Sequence, residues 1–263
     1  MPAPIETPGR GRGRSVAALL CLLTMLSGPL LPIARAQGQA AAAGGPPASD
    51  GARDFSEAER RLLMSDQLAT LQPPTTLRYG FRRASSIEEA YADRVELQLS
   101  RRADGSCCDT RGQFLTGARA QVLPLIEGAQ GNPITLHFLE RDLREMKRLT
   151  QGSTQHFRKQ IRMAIYRGAT VRPLTLSYRG QPVAGQEILI SPYLDDPNRP
   201  RFEKYAGKQY RFWLSDAVPG GVYAIHTLIP DPASALPLIE EELLIDGGVL
   251  PALARPPTAR NPP

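Results

Sequence analysis

Hydrophobic and polar positions along the chain change rhythm several times, and each change predicts an element. From Phe55 the apolar residues Leu62, Leu63, Leu68 and Leu71 predict one helix, opened by Ser56 as N-cap with Glu57 and Glu59 in its first turn and stopped by Pro73-Pro74. The period then drops to two. Leu77, Tyr79 and Phe81 alternate with Arg78, Gly80 and Arg82, and Val95, Leu97 and Leu99 alternate with Arg94, Glu96 and Gln98. Both runs predict half-buried strands with one wet face. Asp104-Gly105 reads as a hairpin turn leading to a further strand near Cys108 to Leu115.

The helical period returns after Gly131-Asn132-Pro133. Leu136, Leu139, Leu143, Met146 and Leu149 form one stripe, and Phe157, Ile161, Ala164 and Ile165 form another. Thr150-Gln-Gly-Ser153 separates them, so residues 133–167 predict an α-hairpin. Strands are expected again at Val171–Arg179, Gln186–Ser191, Gln209–Leu214 and Val222–Leu228. The predicted whole is an α+β domain over residues 55–230, a curved antiparallel sheet with an N-terminal helix and an inserted α-hairpin. Residues 231–263 read as an acidic and then proline-rich tail, disordered over its last dozen residues, with Glu240-Glu241-Glu242 an exposed charge run.

The N-terminus follows a different pattern. Arg10, Arg12 and Arg14 precede the short apolar run Val16–Leu26, and Ala34-Arg35-Ala36 places small residues at the −3 and −1 positions. These are the parts of a secretory signal peptide over residues 1–36, cleaved after Ala36. Gly28, Pro29 and Pro32 interrupt the run before it reaches the ~20 residues of a spanning helix. Residues 37–54 are mostly Ala, Gly, Pro, Gln and Ser and read as a flexible leader. The expected compartment is a bacterial periplasm or the cell exterior.

Charge changes meaning once the signal is set aside. The chain holds 32 basic and 26 acidic residues, a formal +6, and residues 1–36 account for four of the arginines and one glutamate. The remainder carries +3, which weakens a global nucleic-acid-binding reading. The basicity that remains is local. Residues 140–172 hold nine basic and three acidic side chains. Arg144, Lys147, Arg148, Arg158, Lys159 and Arg162 of the hairpin are the candidate docking surface for an anionic membrane or an acidic protein, against the simpler reading of a solvated helix face.

Candidate chemistry is sparse. His137, His156 and His226 have no metal-ligand spacing, although His137 and His156 could approach across the hairpin. No nucleophile elbow, phosphate-binding loop or dinucleotide fingerprint occurs, so no catalytic residue, metal or cofactor is assigned. Asp195, Asp196 and Asn198 lack calcium-loop spacing and read as a turn. Cys107 and Cys108 are adjacent, and export leaves them as free thiols near a turn or as a vicinal disulfide.

One segment carries a resemblance. Lys208–Thr227 runs a strand into the bend Val218-Pro219-Gly220-Gly221 and out into the next strand. With a helix before the sheet and a helical excursion within it, this is similar to the half-barrel of bacterial lipoprotein-localisation carriers and their periplasmic relatives. The resemblance covers the architecture of residues 55–230, and the motif itself is short. The basic hairpin is larger than the carriers' lid helices, and neither Arg78 nor Arg82 can be matched to a carrier's functional arginine. The resemblance implies a concave apolar face, to which Tyr79, Phe81, Phe212, Trp213 and Tyr223 are assigned as ligand-binding candidates. The function expected is a non-enzymatic periplasmic carrier or binding protein for a lipid or other apolar ligand, with an envelope-complex subunit docking through the basic hairpin as the alternative.

Overall fold

A computed structural model describes residues 54–234 and 236–252. The expected signal peptide, nearly all of the leader and the last eleven residues lie outside the described residues. Among the described residues ten strands form one open antiparallel sheet, in the order β10-β5-β6-β7-β8-β9-β1-β2-β3-β4. They are β1 (Thr75–Ser85), β2 (Tyr91–Ser100), β3 (Asp109–Phe114), β4 (Gln121–Ile126), β5 (Thr170–Tyr178), β6 (Gln181–Ile190), β7 (Gln209–Leu214), β8 (Val222–Ile229), β9 (Ile239–Ile245) and β10 (Gly248–Val249). The helices are α1 (Glu57–Glu59), widening into a π-turn over Arg60–Met64, α2 (Ile134–Thr150), α3 (Thr154–Met163), followed by a second π-turn over Ala164–Gly168, and the short α4 (Glu203–Ala206). The architecture is the α+β curved sheet that the patterning predicts.

The sheet curls because the chain leaves β9 and pairs almost at once with the opposite edge. Only Asp246 and Gly247 separate β9 from β10, and β10 pairs with Tyr178 and Ser177 of β5. Gly247 has φ +88°, the left-handed conformation that lets the chain turn here. Tyr223 of β8 secures the curl: its hydroxyl lies 2.6 and 2.7 Å from the carbonyl oxygens of Ser177 and Val249, its one hydrogen serving one of them at a time, and it accepts the Val249 N–H at 2.7 Å.

Alternation along β1 sends Leu77, Tyr79, Phe81 and Arg83 to the inner face. There α2 and α3 lay down Ile134, Phe138, Leu143, Met146, Phe157 and Ile161, all buried. Ser153 caps α3, its Oγ accepting the His156 N–H. Ser56 and Glu59 close a reciprocal capping box on α1. The Val218–Gly221 bend is held from beneath, since Asn132 Nδ2 donates to Gly220 O at 2.8 Å and to the Tyr79 hydroxyl at 3.0 Å. A Cβ on Gly220 would lie 2.5 Å from Leu77 Cδ1, so the bend needs glycine for space as well as for its φ of +73°.

Three expectations change. The first helix ends at Met64 rather than near Leu71, because Leu68 is drawn into the core and its N–H goes to Gln130 O. The domain does not stop at residue 230: Ile239–Ile245 forms β9, which lies between β8 and β1. Glu240-Glu241-Glu242 is therefore not an exposed run. Ile239, Glu241, Leu243 and Ile245 alternate into the interior, and Glu241 is 1% exposed.

Candidate functional site

Two charged regions meet the helical hairpin, and they differ in kind. The first lies under α2. Glu241 of β9 takes Arg141 on both oxygens, at 2.9 and 3.0 Å, and Arg83 of β1 on one, at 2.5 Å. Arg83 also reaches Glu88 and Glu145, at 2.5 and 2.7 Å. Arg141 packs over the Phe81 ring, 4.8 Å from its centroid. One helical position on, Asp142 accepts from Lys208 and from the Tyr210 hydroxyl, the latter at 2.6 Å. Burial raises the Glu241 carboxyl, but the charges of Arg141, Lys208 and Arg83 and the Arg141 hydrogen bond outweigh it and hold the group below the usual carboxylate range. Burial likewise raises Glu145, and the hydrogen bonds and charges of Arg148 and Arg83 carry it down to about 2.

These charges sit in the inner face of the sheet, where a ligand cavity was expected. The aromatics assigned to that cavity are in the packed core: Tyr79, Phe81, Phe212, Trp213 and Tyr223 are each at most 2% exposed. Phe81 stacks against Tyr91 and meets Phe114 edge-on, and Phe212 stacks on Tyr210. Trp213 points to the opposite face of the sheet, where its Nε1 donates to Glu187 at 3.0 Å. Burial pushes the Tyr79 phenol well up.

The second region is an open groove of about 930 Å³ between α1 with its π-turn and α3. The α1 side contributes Phe55, Leu63 and Met64, which are 44%, 43% and 52% exposed. The α3 side contributes Arg158, Lys159, Arg162 and Met163, with Ser153 and His156 towards the helix start. Ser56 fixes α1 beside α3, its Oγ donating to Ile165 O at 3.1 Å. His156 Nε2 lies 2.7 Å from Asp196 Oδ2, which anchors α3 to the loop after β6. Asp196 also accepts the Asn198 N–H, so this loop is partly buried rather than merely a solvated turn.

The six hairpin cations fall into two groups. Arg148 is held by Glu145 and Glu88, Arg158 by Glu140 at 2.7 and 2.9 Å, and Arg144 donates to Gln121 at 2.6 Å. Lys147, Lys159 and Arg162 are exposed and have no ion-pair partner among the described residues. Only Arg158, Lys159 and Arg162 line the groove. His137 does not join His156. It is half-buried, burial and the nearby Arg144 lower its pKa, and its Nε2 has no hydrogen-bond partner among the described residues. Cys107 and Cys108 are bonded to each other; Cys108 is fully buried, and Cys107 Sγ lies 3.6 Å from Leu68 O in the loop after α1.

The sequence reading missed the groove. Its apolar wall comes from Phe55, Leu63 and Met64, of which only Leu63 was read as part of the helix's apolar side. The available signal was the excess of apolar residues: Leu62 and Leu63 are adjacent, and only Leu62 is buried.

No family model matches this chain, and no curated protein matches it. Among solved structures it is similar to the crystal structure of MucB, with 16% identity and a TM-score of 0.29, covering 77% of this chain and 62% of MucB. It is also similar to a LolA superfamily protein from Nitrosomonas europaea, with 10% identity and a TM-score of 0.19, covering 75% of this chain and 94% of that one. This chain thus spans less than two thirds of MucB. Both likenesses are weak and architectural. No helix among the described residues is long and apolar enough to cross a membrane.

Proposed function

We propose that this chain is an exported, non-enzymatic binding module that holds an anionic, lipid-like amphiphile in the groove between α1 and α3. One observation carries the reading: exposed Phe55, Leu63 and Met64 face a helix whose Lys159 and Arg162 have no partner among the described residues. An amphiphile matches both walls. Its chain would cover roughly half of each apolar side chain, contributing about 1 kcal/mol apiece. Its headgroup would meet two cations, each adding about 1 kcal/mol near an anionic surface. Periplasmic residence rests on the signal-like residues 1–36.

The test is native mass spectrometry of protein purified from a periplasm, before and after incubation with lysophosphatidylglycerol. A one-to-one adduct that disappears in Leu63→Ser/Met64→Ser supports the reading. A clean apo mass throughout rejects it. A second reading has its own support, since Arg144 and Lys147 are exposed on α2 but line no part of the groove. They suit an acidic protein partner. A complex isolated from envelope extracts and lost in Arg144→Gln/Lys147→Gln, with no lipid adduct, would favour the interaction-subunit alternative.

A further inference from the structure

The face of the sheet away from the helices carries a separate cluster. Strand register sets His226 of β8 opposite Glu242 of β9, and Glu240, two residues earlier in β9, shares that face. His226 Nε2 lies 2.7 Å from Glu240 Oε1. One donor atom from each of the three residues lies within 4.8 Å of the other two. The imidazole is buried, whereas the Glu240 and Glu242 side chains keep 21% and 13% exposure. The cluster thus has a closed floor and an open mouth.

A cation already occupies the mouth. Arg82 of β1 closes on Glu242 with Nε and Nη2 at 2.8 and 3.1 Å, and its side chain is 62% exposed. It can swing into solvent without breaking the core. On the other side, Arg211 of β7 stands opposite His226, half-buried.

We propose that His226, Glu240 and Glu242 form a binding site for a divalent transition metal of the zinc class, with Arg82 holding the cation position in the metal's absence. One imidazole nitrogen and two carboxylate oxygens suit Zn²⁺ and leave a fourth position for water. Tetrahedral zinc wants its donor atoms roughly 3.3 Å apart, a closure that rotation of the two glutamate side chains can supply. Ligation through Nε2 takes the neutral imidazole with its one hydrogen on Nδ1, so the proton shared between Nε2 and Glu240 either moves to Nδ1 or, from the imidazolium, leaves to solvent. His226 Nδ1 has no hydrogen-bond partner among the described residues, so no neighbouring acceptor orients the ring. The site is accordingly an exchangeable one rather than a structural zinc.

Trp213 supplies the readout. It is the only tryptophan in the chain, and its ring centroid is 6.0 Å from that of His226. Untagged protein is titrated with ZnCl₂ by calorimetry and with CoCl₂ by tryptophan fluorescence. The expected result is one equivalent of Zn²⁺ bound and saturable quenching by Co²⁺. His226→Ala abolishes both. Because His226 is buried, Glu240→Gln/Glu242→Gln serves as a second variant at positions that reach solvent, and it also abolishes both while keeping the wild-type circular dichroism. Arg82→Gln removes the competitor and tightens Zn²⁺ about two- to fivefold. Absence of a one-equivalent event in the wild type overturns the proposal, as does binding that survives both ligand variants. Unchanged or weaker binding in Arg82→Gln overturns the competitor role.

Discussion

Helices α2 and α3 belong to one hairpin and look alike in sequence, each basic with a single apolar stripe, yet their charges have opposite fates. Arg141 and Asp142 of α2 are turned inward and matched by Glu241 of β9 and by Lys208, the residue just before β7. Lys159 and Arg162 of α3 face an open groove with no partner among the described residues. Net charge counted along a helix therefore says little about charge available to a ligand. What decides is whether a strand delivers a carboxylate beneath it. The buried pairs fix where α2 sits, because a mismatched charge there is costly. The free cations of α3 contribute nothing comparable to stability and remain available for binding.

The largest effect expected from this contrast is at Glu241. Glu241→Gln leaves Arg141 without its carboxylate: the amide oxygen can accept one of its two bonds, the amide NH2 faces it as a second donor, and the Tyr91 hydroxyl lies at 3.2 Å. Breaking such a buried pair costs about 3–5 kcal/mol, or roughly 10 °C in a domain of this size. Adding Arg141→Met, whose thioether can pack on Phe81, should return much of that loss, because no unpaired charge then remains. Thermal denaturation of the two variants checks both steps. If Glu241→Gln melts like the wild type, the network does not hold α2.

Acid should reach the same region more gently. The folded pKa of Glu145 is about 2 and its ordinary value is 4.5. The folded state thus binds its proton less readily than the unfolded chain does. The stabilisation is complete above about pH 5 and is lost as the pH falls towards 2. Allowing for the solvent on its open side, about 2 kcal/mol is at stake. Glu241 shifts in the same direction. Urea denaturation at pH 7, 5, 4 and 3 should show falling midpoints, and in Glu145→Gln the fall should be smaller.

Much of this fold was legible in the sequence because period-two alternation is visible wherever the inward residues are apolar. Leu77-Tyr79-Phe81 and Val95-Leu97-Leu99 announce their strands. β9 failed that test for a physical reason. One of its inward residues is Glu241, so Ile-Glu-Glu-Glu-Leu-Leu-Ile reads as an acidic run followed by an apolar one. The charge is tolerated only because Arg83 and Arg141 arrive from 158 and 100 residues away in sequence, and no local pattern carries that information. The groove was hidden in the opposite way: Leu63 read as part of the helix's apolar side, and it lies on the surface beside Met64. The hairpin and its basic character were plain, and the division of its cations into paired and free was not.

The smallest effects sharpen the contrast within α3 itself. Arg158 and Lys159 are neighbours on the groove, but Arg158 already closes a two-bond pair with Glu140, and both partners are about half exposed. An exposed pair of this kind contributes little, so Arg158→Ala should lower the melting temperature by about a degree or two at most. Lys159→Gln and Arg162→Gln break no pair among the described residues and should leave it unchanged. For an anionic amphiphile the order reverses. Lys159→Gln/Arg162→Gln should weaken lysophosphatidylglycerol binding about tenfold or more, because both unpaired cations are lost. Arg158→Ala should weaken it less, because its guanidinium is already committed to Glu140. Lysophosphatidylcholine, with no net charge, should be nearly indifferent to the double variant. If it loses affinity in parallel with the anionic lipid, the two cations shape the groove rather than read the headgroup.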